Sequence, residues 1–280
     1  MKALSFRVEG RDTYGLFRDG RVYEAAGDFR ARFPDLRAVL AADALDALAA
    51  SVAAEGIDEP SVTYLPLIPN PDKTLCVGVN YRPHAEEMGR TPPEHPLLFV
   101  RFPGSQVGHR QSLVRPAPSA AYDYEGELAV VIGRRAWRVS RGRALDVVAG
   151  YTAFMDGTVR DWQRHTTQYT AGKNFRHSGA VGPWLCTPDE VGDPAQFVLE
   201  TRVNGDVRQH GRLADLIFDI PALIEYVTTF TELLPGDVLA TGTPGGVGAG
   251  RLPPVWLLPG DTVEVDLGPV GCLACRVSDE

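Results

Sequence analysis

Glu125 and Glu127 stand two residues apart at the entrance to the apolar run Leu128-Ala129-Val130-Val131-Ile132, which Gly133 closes. A short run rich in β-branched residues predicts a buried strand. Alternate side chains of a strand share one face, so the two carboxylates lie about 6.6 Å apart and can close on one cation. Taken alone, Glu-x-Glu is most often a solvated strand face. A third acid, Asp156, follows residues 147–155, which alternate loosely as a strand does, and precedes Gly157 and a segment suited to a helix. An Asp there commonly caps the helix. Together the three form an oxygen-only set. Such ligands suit hard divalent cations, Mg²⁺ or Mn²⁺ with Ca²⁺ also compatible, whereas zinc more often takes His or Cys. Mg²⁺ wants about six ligands, so three monodentate carboxylates leave about three positions for water and substrate.

A second constellation is His84 with Glu87. The strand predicted at Leu75-Cys76-Val77-Gly78-Val79 delivers Asn80-Tyr81-Arg82-Pro83, and Pro83 suits the first turn of a short helix. His84 and Glu87 then face the same side. A carboxylate on one imidazole nitrogen fixes the tautomer and makes the other nitrogen a general base near neutral pH.

The elements that must position these groups divide the chain in two. Residues 1–70 read as a small α/β unit: short strands near Leu4 and Tyr14, a turn at Asp19-Gly20, then one or two Ala/Leu-rich helices over residues 36–54. The proline-rich segment Leu65-Pro66-Leu67-Ile68-Pro69-Asn70-Pro71 reads as a linker. Residues 71–280 hold the chemistry. There, Asn204-Gly205 predicts a type I′ hairpin turn, Asp219-Ile220-Pro221 a capped amphipathic helix, and the tail two closing strands. The glycine-rich stretch from Gly242 to Gly250 lacks the Gly-Lys-Ser/Thr ending of a phosphate loop and runs into Pro253-Pro254 instead of a helix, so it reads as backbone bending tightly beside a site.

Composition narrows the partners. With 28 Lys and Arg against 36 Asp and Glu, the net charge is −8, which argues against nucleic acid and anionic membrane. The arginines at 134, 135, 138, 141 and 143 read as a solvated turn. No apolar run approaches the ~18 residues of a membrane helix. The N-terminus lacks a signal peptide's apolar core, and four scattered cysteines point to a reducing cytoplasm. Cys272 and Cys275 have CxxC spacing but no second pair, which argues against zinc or redox work.

These motifs, with Asp123-Tyr124, Gly150-Tyr151-Thr152, Arg160-Asp161-Trp162-Gln163, Gly182-Pro183-Trp184, Val203-Asn204-Gly205, Pro235-Gly236-Asp237 and Thr241-Gly242-Thr243-Pro244, resemble the fumarylacetoacetate hydrolase family over residues 72–277. The resemblance implies an α+β, β-rich fold, a mixed β-sandwich roll preceded by a small N-terminal domain, and a homodimer. It makes Glu125, Glu127 and Asp156 the metal ligands, His84 and Glu87 the water-activating dyad, and Lys173 a support for the metal site and substrate charge. Arg160, Gln163 and Thr243 match positions that line the substrate pocket, with Arg160 suited to a substrate carboxylate. Some positions depart from the pattern. Lys173-Asn174-Phe175-Arg176 has a base where many relatives have an acid, and Arg101 stands where many have lysine. Gly157 replaces a valine, and Asn80 does not supply the extra acid of the larger fumarylacetoacetases.

The implied chemistry is metal-dependent hydrolysis of a C–C bond in a 1,3-diketo acid or acylpyruvate. His84 deprotonates water, and the enolate leaving group is stabilised by the metal and Lys173. The same enolate chemistry serves alternative outcomes on a 2-oxo acid: isomerisation or tautomerisation, hydration, and oxaloacetate-type decarboxylation. A member that binds metal without catalysis, its pocket closed by the altered lysine loop, is the remaining alternative.

Overall fold

The computed structural model describes all 280 residues. The strand Gly126–Ile132 lies at its centre and is buried along its whole length. Its side chains alternate between two cores. Leu128, Val130 and Ile132 face one cluster with Leu199, Val263, Val265 and Leu273, while Ala129 and Val131 face another with Leu36, Val39 and Leu40. A strand covered on both faces needs apolar residues at every position, which is why this stretch reads as an unbroken run.

Two large sheets, with a two-stranded ribbon of Tyr122–Asp123 and Thr158–Val159 beside them, build the molecule. The larger, of 12 strands, passes from the N-terminal strands through Lys2–Val8, Gly179–Cys186, Val148–Met155, Gly126–Ile132, Val238–Ala240 and Thr74–Gly78 to Leu97–Val100. The smaller, of five, runs Asp206–Arg212, Val198–Val203, Thr262–Asp266, Cys272–Asp279 and Ser112–Arg115. Both are mixed: Val238–Ala240 lies parallel to Thr74–Gly78, and Cys272–Asp279 parallel to Ser112–Arg115. The first cluster fills the space between the sheets, so the fold is an α+β, β-rich sandwich roll.

Residues 1–70 add a meander of Lys2–Val8, Arg11–Arg18 and Arg21–Glu24, then the short helices Leu36–Ala41 and Leu45–Ala50. Asp35 caps the first of these by accepting from Ala38 N at 2.7 Å. Lys2–Val8 pairs with Gly179–Cys186, which carries the large sheet into this region. The proline-rich segment before residue 71 is packed rather than free. Leu67 and Ile68 are buried in the second cluster, and Ser5 Oγ donates to Leu67 O at 2.8 Å. Two apolar side chains anchor a stretch whose prolines suggest only a connector.

Further on, Asn204 and Gly205 both have positive φ, as a type I′ turn requires, and Asp219 caps the helix Ile220–Phe230 by accepting from Ala222 N. The four cysteines are free thiols. No helix is long and apolar enough to cross a membrane.

Candidate active site

Antiparallel pairing of Gly126–Ile132 with Val148–Met155 sets Gly126 opposite Met155. Glu125 precedes the first strand and Asp156 follows the second, so the register places them side by side, with Asp156 N donating to Glu125 O at 2.8 Å. The ligand atoms of Glu125, Glu127 and Asp156 all lie within 4.8 Å of one another, and all three residues are buried. Gly126, between the two glutamates, touches the second sheet. A Cβ there would lie 2.0 Å from Thr201 Oγ1, so only glycine lets the carboxylates sit this deep.

Three buried cations hold the acids. Lys173, at the end of the one-turn helix Thr170–Lys173, places Nζ 2.6 Å from both Glu125 and Asp156. Arg160 donates through Nε to Asp123 at 2.7 Å and through Nη1 to Gln163 Oε1 at 3.1 Å, while its Nη2 meets Glu125 Oε1 at 2.6 Å. The fork expected at a substrate carboxylate is thus engaged by the protein's own acids. Arg101 pairs with Asp156 at 2.6 Å. Burial alone would raise the Glu125 carboxyl, but Arg160 and Lys173 outweigh it and hold the group well below the usual range. Glu127 has the opposite balance. Burial, then Asp156 and Glu125, push it well above the carboxylate range, and only the Gly242 N–H, at 2.9 Å, hydrogen-bonds to it. Burial would lower Lys173, yet Asp156 and Glu125 keep its ammonium above the ordinary value.

His84 and Glu87 lie on the helix Arg82–Glu87, with Nδ1 3.4 Å from Glu87 Oε2. A carboxylate only accepts, so Nδ1 carries the proton and Nε2 presents its lone pair. Glu87 also accepts from Gly246 N, at 3.0 and 3.1 Å to its two oxygens. These bonds, with that from His84, hold its carboxyl below the usual value against the opposing effect of burial. The glycine-rich stretch therefore anchors the dyad through its backbone. Asp123 fastens the same stretch by accepting from Gly248 N at 2.8 Å and Ala249 N at 3.0 Å.

One cleft gathers His84, Glu125, Glu127, Arg160, Gln163, Lys173 and Thr243 over an apolar wall that includes Val77, Val79 and Phe99. Thr243 donates its hydroxyl to Gly126 O and accepts from Gln209 Nε2, so its proton is engaged. Gln163 accepts from Arg160, which leaves its amide N–H groups for a ligand. Val79 has φ of +57°, a strained value for a β-branched residue, at the point where the strand Thr74–Gly78 hands over to Asn80 and the dyad helix. Asp123, Arg101 and Gln209 are structural members of the site that residue types and spacing did not single out, because their partners lie far away in the chain.

A buried carboxylate triad at a strand pair, with the His84 of a His–Glu pair lining the same cleft as Glu125 and Glu127, defines a candidate cation-assisted acid–base site. The comparisons agree with this class. The family model described as fumarylacetoacetate (FAA) hydrolase C-terminal matches residues 73–278. The chain is 42% identical over 214 residues to "Oxaloacetate tautomerase YisK" of Bacillus subtilis, covering 75% of this chain and 71% of that protein. It matches the solved fumarylacetoacetate hydrolase of psychrophilic Exiguobacterium antarcticum with TM-score 0.85 and 33% identity over 100% of both chains. A maleylpyruvate hydrolase from Sphingobium sp. SYK-6, solved with manganese(II) and pyruvate, matches with TM-score 0.80 and 28% identity, covering 100% of this chain and 99% of that one. The chain belongs to the fumarylacetoacetate hydrolase family. Its relatives include both tautomerases and hydrolases.

Proposed function

We propose that this protein is a divalent-metal-dependent enzyme that moves a proton at the carbon next to the 2-oxo group of a 2-oxo acid, a tautomerase acting on an oxaloacetate-like substrate. The observation that carries the reading is the His84 imidazole, held by Glu87, in the cleft that Glu125 and Glu127 of the triad also line. The triad fits a hard cation. Its donors are all oxygen, they converge within 4.8 Å, and Glu127, unlike Glu125 and Asp156, has no cationic side chain paired with it. Glu125, Glu127 and Asp156 would hold Mg²⁺ or Mn²⁺, in keeping with the manganese and pyruvate in the maleylpyruvate hydrolase relative. When bound, such an ion supplies electrophilic polarisation of a 2-oxo carbonyl.

The chain's own residues do the rest. His84 Nε2, which makes no hydrogen bond within the protein, takes the proton from C3 and can return it to oxygen or carbon. Glu87 holds the tautomer that leaves this lone pair free and steadies the imidazolium that forms. The Gln163 amide offers neutral hydrogen bonds to substrate oxygen, and Lys173 offsets charge that develops beside Glu125 and Asp156. Val77, Val79 and Phe99 give the cleft an apolar wall.

Hydrolytic C–C cleavage of an acylpyruvate is the second reading. The dyad supports it, since a base beside a water is what cleavage requires, as does the similarity to maleylpyruvate hydrolase. The deciding experiment follows enol-to-keto conversion of oxaloacetate and cleavage of an acylpyruvate side by side, with Mn²⁺, for wild type and His84→Ala. Tautomerisation that falls by ~10²–10⁴ in the variant supports the proposal. Acylpyruvate cleavage without oxaloacetate tautomerisation would replace it by the hydrolase reading.

A further inference from the structure

We infer that Arg90 reads the second carboxylate of a 2-oxo dicarboxylic acid, setting the enzyme's preference for dicarboxylates over monocarboxylates. The inference rests on the proposed 2-oxo acid chemistry of the same cleft. It begins with the cations that line the pocket besides His84: Arg90, Arg160 and Lys173. Lys173 is shared between Glu125 and Asp156, and Arg160 is engaged by Asp123, Gln163 and Glu125. Arg90 meets Tyr169 instead of an acid. It is the one guanidinium of the cleft with no acid paired to it, so its fork can turn to an incoming anion.

Local sequence explains its position. The dyad helix Arg82–Glu87 ends at Met88, and Gly89 takes φ of +63°. Gly89 N donates to Glu86 O at 3.0 Å and Arg90 N to Ala85 O at 2.8 Å, the paired bonds of a Schellman ending. The chain is thereby turned back at the rim of the cleft. There Arg90 Nη1 donates to the Tyr169 hydroxyl, and the guanidinium lies 5.4 Å from the centre of the Tyr169 ring. That ring in turn meets Phe99 edge-on at 5.6 Å and rests near Gly78, where a Cβ would come within 3.3 Å of it. Contact with this ring and its hydroxyl orients the guanidinium and leaves most of its five N–H donors free.

The order of depth then matches a dicarboxylate. The triad is buried and Arg90 is exposed, so a ligand whose 2-oxo acid end reaches the triad directs its other end outward, to the rim. A carboxylate at that end can take two parallel N–H donors, which a neutral or apolar end cannot. Because the rim is wet, the gain is moderate and falls with added salt.

The test measures binding by calorimetry on Mn²⁺-loaded protein with two probes, pyruvate and 3-sulfopyruvate, a doubly charged analogue that does not decarboxylate. Arg90→Gln is expected to weaken 3-sulfopyruvate about tenfold and pyruvate less than about twofold, with Arg90→Lys between. Tyr169→Phe, which keeps the ring but removes the hydroxyl, should show a smaller loss of the same sign. Equal weakening of both probes, or of neither, overturns the inference. Failure of the functional reading is separate: a wild type that binds both probes with the expected preference but turns over no 2-oxo acid sinks the enzyme and leaves Arg90's role standing. A wild type that binds neither probe removes both.

Discussion

The guanidinium of Arg101 lies 2.6 Å from the carboxylate of Asp156, and neither side chain is reached by solvent. Arg101 also donates to Gly157 O at 2.9 Å, Ser178 Oγ at 2.8 Å and Ser105 Oγ at 3.2 Å, so its donors are nearly all used. Without Arg101 the buried Asp156 carboxylate keeps only Lys173, which it shares with Glu125, so Arg101→Met is expected to cost roughly 3 kcal/mol, the low end for a broken buried pair. Arg101→Lys keeps the charge but loses the fork and should cost less. Urea denaturation of the metal-free proteins decides the matter; a methionine variant within about 1 kcal/mol of wild type would contradict the role given to this pair.

How much of this was legible in the sequence depends on distance along the chain. Glu125, Glu127, His84 and Glu87 announce themselves through local spacing, at the start of a strand and on one helix turn. Arg101 does not, because its meaning comes from Asp156, which follows a different strand. Asp123 is read only when the backbone of Gly248 and Ala249 arrives beside it. Arg160 shows the limit of reasoning from residue type: a buried arginine suits a substrate carboxylate, but Asp123 and Glu125 reach it first. The linker is a similar case, since prolines at 66, 69 and 71 reveal where helix stops and not that Leu67 and Ile68 enter a core.

Glu127 gives a prediction whose sign depends on metal. Its carboxyl is buried beside two other acids, so without a cation it destabilises the fold. Glu127→Gln keeps an oxygen for the Gly242 N–H and removes the charge. In chelator, the variant should melt at or above the wild-type temperature. With Mn²⁺ at one hundred times Kd the wild type should gain about 2.7 kcal/mol and the variant far less. Equal gains in the two proteins would take Glu127 out of the ligand set.

Gly250 tests the link between the glycine-rich stretch and the dyad. A Cβ at this position would stand 2.4 Å from Glu87 Cδ and 2.5 Å from its Cγ. Gly250→Ala must therefore displace the Glu87 side chain, which lies near the end of a short helix and can yield. The expected result is a fall in kcat of about 10–100-fold, because His84 loses its orienting partner, with a stability cost under about 2 kcal/mol. Gly245→Ala is the control, since its nearest contact would be an ordinary 3.7 Å from Glu87 Oε2. Similar kinetics for the two variants would show that Glu87 does not depend on this backbone.

His109 should make the fold sensitive to acid independently of the active site. It is buried, its ring meets Tyr64 edge-on at 4.8 Å, and its Nδ1 accepts from Ala274 N at 3.0 Å. Burial, with Arg110 next to it, pushes its pKa down from 6.5 to about 4. The unfolded chain therefore binds a proton that the folded chain refuses between about pH 6.5 and 4, and stability falls as pH drops through that window. The stabilisation is fully present above pH 6.5, and the ceiling on its loss is about 3 kcal/mol. His109→Gln keeps an acceptor for Ala274 N but cannot titrate, so its stability should vary less across this range. Denaturation midpoints for both proteins from about pH 7 to 4 test this; parallel curves would assign the acid sensitivity to other groups.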